Sequence, residues 1–218
     1  NQAGGTGVQQ TQDMTSIVSD IIVNTNTETG SKMIEELNNS STDTENDLSL
    51  QVISAISVKD TTKLNTLSEN NKEQIDTLTQ SAVKNAGSSQ ESADLIAKVV
   101  ANASDDFANQ IIGEVTKNSI DENQALSAKV MKSIVETTPD KVENLSDENK
   151  DKLISQTIEA AKNQAEGTSS DELDLSNTIA EIVTNSDTGT AAKVLESLEE
   201  ATTDSDSKLS LSVVSNLT

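Results

Sequence analysis

The chain has 218 residues and sets 37 Asp and Glu against 15 Lys, a formal charge of −22, with no Arg, His, Cys, Trp or Tyr. That inventory excludes imidazole bases, thiolate nucleophiles, disulfide staples and bidentate arginine clamps on phosphate. So negative a field argues against nucleic acid and anionic membrane surfaces, and no apolar run exceeds three residues, far short of a membrane span.

High charge with few aromatics is also a mark of disorder. Periodic spacing of the apolar residues answers that objection, and it predicts an all-α chain. Residues 1–14 hold three of the eight Gly and no helical period, which predicts an extended arm. Helical spacing starts at Thr15, with Ile17, Ile21 and Ile22 on one stripe, then Met33, Ile34 and Leu37 on the next. A polar loop over 38–45 leads to Leu48, Val52, Ile53 and Ile56. Leu64 and Leu67 predict a short turn, and Ser68 before Glu69 reads as an N-cap opening a helix with Ile75, Leu78, Ala82 and Ala86.

The series then begins again. Ala93, Ile96, Ala97 and Val100 make one stripe, and Ser104-Asp105-Asp106 caps a helix carrying Phe107, Ala108, Ile111, Ile112 and Val115. Leu126, Val130, Met131 and Ile134 follow. Thr138-Pro139 is a helix start with Pro at the first position, where its missing N–H costs nothing. Ser146 caps the next helix.

Residues 18–56 align without a gap on 179–217, 161 positions later, with 14 of the 39 positions identical. Leu145-Ser146-Asp147-Glu148-Asn149-Lys150 matches Leu67-Ser68-Glu69-Asn70-Asn71-Lys72 at an offset of 78. These offsets predict helical repeats over 15–92 and 93–170 and a partial third over 171–218, each full repeat holding five short antiparallel helices. The pattern resembles the generic helix-pair repeats of α-solenoids. It lacks the Trp, Tyr, Pro and Arg landmarks of the tetratricopeptide, HEAT and armadillo families, so the resemblance implies architecture and no functional residue.

No reactive constellation stands out. Ser, Lys and carboxylates sit in repeating polar text without a hydrolase signature such as S-x-x-K beside a second motif. Gly4-Gly5-Thr6-Gly7 lacks the G-K-[ST] ending of a phosphate loop. Asp105-Asp106, Asp171-Glu172 with Asp174, and Asp204 with Asp206 lack Ca²⁺-loop spacing and stand where helices start, so they read as caps. Neither an enzyme nor a cofactor is expected; loose binding of divalent cations to so acidic a surface is.

A stack of two-helix layers needs its end faces covered, and the third repeat breaks off partway. This predicts head-to-tail association of copies into an extracellular or cell-surface filament or tube, outside a prokaryotic cell. The expected contacts are Val8, Ile17, Ile21 and Ile22 at one end and Val213, Val214 and Leu217 at the other. The alternative expectation is a helical-repeat scaffold or adhesin segment of a larger exported surface protein that binds other proteins. A start at Asn1 in place of Met fits a processed or excised chain equally.

Overall fold

The computed structural model describes residues 7–40, 48–70, 73, 80, 83, 89–118, 124–167, 174–202 and 207–218. Within those ranges the side chains of 7–13, 38, 40, 70, 118, 124 and 207 lie outside the description. The described residues form twelve helices and no strand: α1 Gly7–Asn24, α2 Thr27–Ser40, α3 Leu48–Lys59, α4 Thr61–Asn70, α5 Gln90–Asn102, α6 Asp105–Asn118, α7 Gln124–Thr137, α8 Pro139–Glu143, α9 Asp147–Ala165, α10 Leu175–Asn185, α11 Thr188–Thr202 and α12 Ser207–Asn216. The helix expected to carry Ile75, Leu78, Ala82 and Ala86 falls largely outside the described residues, as do Asp171, Glu172, Asp204 and Asp206.

Three local expectations are corrected. Helix α1 starts at Gly7, so it takes in the second half of the expected arm. Between Val8 and Met14 there is no Pro and no further Gly, and the glutamines there are good helix formers. Ser68 is not a cap: it lies inside α4, where its hydroxyl donates back to the Asn65 carbonyl. Leu64 and Leu67, four and one residues before it, are buried on that helix, and their burial carries the helix past Ser68. Finally, α2 runs on through Ser40, which takes the first residues of the expected loop into the helix.

The other caps stand where the sequence puts them. Ser146 accepts from the Asn149 N–H and Asp174 from the Asn177 N–H, and Pro139 opens α8. Asn26, Ser104 and Asp187, related by the offsets 78 and 161, accept from the N–H groups of Thr29, Phe107 and Thr190 at 2.8, 3.4 and 3.1 Å. Gly167, at φ 74°, ends α9 in a left-handed conformation that a side chain would strain.

The core is aliphatic, with Phe107 its one aromatic. Most successive helices touch, and the most extensive contacts join helices two or three places apart. α1 lies on α3, α3 on α5, α5 on α7, α7 on α10, and α10 on α12, making one continuous row. On the other side, α2 meets α4, while α6 and α11 both meet α9. The reason is the placement of apolar groups: α3 and α7 are buried nearly all round, so each needs neighbours on several sides.

Specific polar contacts fix this order. The Lys63 ammonium donates to the Thr25 carbonyl at 2.5 Å, and Lys141, 78 residues on, donates to the Ala103 carbonyl at 2.7 Å. Each ties the fourth-type helix to the turn between the first two of its group. Lys132 of α7 pairs with Glu181 of α10 at 2.6 Å. Burial is the largest single influence and works against that ammonium, but the hydrogen bond to Glu181 and the charges of Glu181 and Glu136 together outweigh it, and its pKa is raised.

Candidate assembly faces

Five large apolar residues form two exposed groups at the ends of the row: Ile17 and Ile21 on α1, and Leu211, Val214 and Leu217 at α12. Met14 joins the first group, and Leu195 of α11 the second. The sequence offsets give each a counterpart inside the molecule, and the comparison shows what each lacks.

At the α1 end, Met14, Ile17 and Ile21 are 54%, 58% and 47% exposed. Their counterparts on α10 are Leu175, Thr178 and Ile182, all at 0%. Helix α9 closes on α10 there: the Leu175 N–H donates to the Gln164 side-chain oxygen of α9. Beside them, Lys193 of α11 holds Asp151 of α9 at 2.7 Å with Asp147 at 3.7 Å. The hydrogen bond to Asp151 raises the pKa of Lys193. Its counterpart at the α1 end is Lys32 of α2, exposed, whose ion-pair partner among the described residues is its helix neighbour Glu28, at 2.9 Å.

At the α12 end, two sides of the helix are open. Val214 and Leu217 correspond to Met131 and Ile134 of α7, which are buried around a small gap lined by Val142 of α8, by Leu145 just before α9 and by Lys150 and Leu153 of α9. The Thr157 hydroxyl of α9 also reaches the Met131 sulfur. Leu195 corresponds to Ile112 of α6, another helix that α9 covers. The other open side is Leu211, Ser215 and Thr218. Its counterparts on α3 are Leu50, Ser54 and Ser57, all buried, and on α7 Ala128, Lys132 and Val135, the side on which Lys132 meets Glu181 of α10.

Of the residues expected at a contact, Ile17, Ile21, Val214 and Leu217 are exposed, whereas Ile22 and Val213 are fully buried inside the chain. The side chain of Val8 lies outside the description. Met14, Leu195 and Leu211 were missed. Their sequence signal is present but indirect: each occupies a position whose counterpart is a core residue, and its exposure is what distinguishes it.

Among the described residues no group of three or more carboxylates is arranged to hold a metal ion, and no helix is long and apolar enough to cross a membrane. The chain matches no protein-family model, no curated protein and no solved structure.

Proposed function

We propose that this chain is a non-enzymatic structural protein, a stack of helical repeats whose copies associate head to tail into an extracellular filament. One observation carries the reading: the open side of α12 corresponds in position to a buried side of α3 and to the side of α7 on which Lys132 meets Glu181 of α10. Leu211, Ser215 and Thr218 repeat the Leu50, Ser54 and Ser57 pattern, a leucine followed by small residues that let helices approach closely. Helix α1 of a second copy then follows α12 as α5 follows α3 and α10 follows α7. Such a contact joins different surfaces, so it propagates unless the rotation closes a ring.

Light scattering of the purified chain, with negative-stain electron microscopy of the same sample, tests this. Masses that grow with concentration and fibres with a regular axial repeat are expected. A 23.0 kDa species at every concentration sinks the proposal. That result would favour the second reading, a segment of a larger helical-repeat surface protein. Its supporting observation is that both exposed faces are of the kind that α8 and α9 cover elsewhere in the chain.

A further inference from the structure

Helix α9 touches both neighbouring groups, α6 and α7 on one side and α10, α11 and α12 on the other. Its sequence divides accordingly. At 100° per residue, Asp147, Asp151, Ile154, Ile158 and Ala161 share one side, and Lys193 fixes that side toward α11. Leu153, Gln156, Thr157 and Ala160 share the other, where Gln156 bonds the Thr116 carbonyl and Ser127 and where Thr157 meets Met131.

The two ends of the row present the two surfaces that such a helix fits. Met14, Ile17, Ile21 and Lys32 repeat Leu175, Thr178, Ile182 and Lys193; Leu195, Val214 and Leu217 repeat Ile112, Met131 and Ile134. Placing α12 against a second copy's α1 brings these surfaces together with a slot between them, which no described residue of either copy is placed to fill. We propose that this slot takes an amphipathic helix of the α9 kind from a partner chain, with an isoleucine side and two carboxylates one turn apart that pair with Lys32. The α1 face is the primary docking site. The bridge to α12 rests on the end-to-end reading above.

Charge supports this choice of occupant. In a chain of net −22, Lys32 is an exposed cation on α2, which packs against α1, and its counterpart already binds two carboxylates of α9. The probe is a synthetic peptide with the sequence of residues 145–166, labelled with a fluorophore. A second version carries a lactam between Glu148 and Lys152, an exposed i,i+4 pair at 2.7 Å, so that failure to fold as a helix does not mimic failure to bind.

Saturable binding of the peptide to the full chain is expected by fluorescence anisotropy. Ile21→Asp and Lys32→Glu should each weaken it at least about tenfold, and a peptide with Asp147→Lys and Asp151→Lys should recover part of the Lys32→Glu loss. Circular dichroism should show both variants as helical as the parent, since both residues are exposed. No binding by the lactam peptide overturns the proposal, as does binding that neither variant weakens. If the chain forms fibres yet ignores the peptide, the slot is refuted and the filament stands. A peptide that binds the α1 face while the chain stays 23.0 kDa supports the docking site and refutes the end-to-end joint.

Discussion

Ile21 and Ile22 are adjacent and chemically identical, but one is 47% exposed and the other fully buried. The sequence places both on the same stripe, because a doublet in a helix straddles the boundary between two faces 100° apart. Which one enters the core depends on where α3 lies, and nothing local to α1 encodes that. The same holds for Val213 and Val214. Truncation should separate each pair: Ile22→Ala and Val213→Ala remove buried methyl groups, at a cost of about 2–4 kcal/mol and about 1–3 kcal/mol respectively. Ile21→Ala and Val214→Ala should stay within about 0.5 kcal/mol of the parent. Urea unfolding of the monomer, at a concentration too low for association, measures the difference. Equal losses within a pair would mean that the burial assignment is wrong.

Among whole helices, what could be read directly was set by short-range chemistry. Ser104, Ser146, Asp174 and the Thr138-Pro139 start act within one turn, so their spacing alone announces them. Ser68 has the same local appearance as Ser146, but the burial of Leu64 and Leu67 carries α4 through it. The pairing of alternate helices was equally hidden, because it depends on contacts between residues about 40 positions apart, such as Lys63 with Thr25. The caps also predict a pH response. Hydrogen bonds from the Ser176 hydroxyl, then from the Asn177 N–H, hold the Asp174 carboxyl below its usual range. Its folded pKa is depressed, so its contribution is present above the unfolded value and is lost as pH falls through the folded one. Asp174→Ala should therefore cost about 1 kcal/mol at pH 7 and less at pH 3, below the unfolded value, whereas Ser146→Ala should cost a similar amount at both. Denaturant midpoints of the three proteins at the two pH values decide it, and an Asp174→Ala penalty that persists in acid would remove the carboxylate from that role.

For the whole molecule, the arrangement of the ends sets the kind of assembly that can form. A face-to-itself contact would give closed dimers and need only one patch; the α1 and α12 ends are different surfaces, so association by them is directional. Direction can be tested by crippling one end at a time. Leu211→Asp spoils the α12 end and leaves α1 intact, and Ser16→Glu does the converse, since its counterpart Asn177 bonds Glu181 on the side of α10 that meets α7; both residues are exposed, so each variant should fold. Alone, each should be monomeric, because every joint in a head-to-tail chain needs one good end of each kind. Mixed, the intact α12 end of the Ser16→Glu variant meets the intact α1 end of the Leu211→Asp variant, and growth stops there, since the two outer ends are spoiled. Sedimentation should then show a species of twice the monomer mass and nothing larger. Salt adds an independent sign. Each copy carries −22, so close approach is opposed over a screening length of about 30 Å at 0.01 M salt and about 8 Å at 0.15 M. The mixed dimer should be tighter at the higher salt, with an apolar contact left to hold it once the repulsion is screened. Long polymers from either variant alone would place the joint elsewhere, and a mixture that stays monomeric at both salt concentrations would show that these ends do not meet.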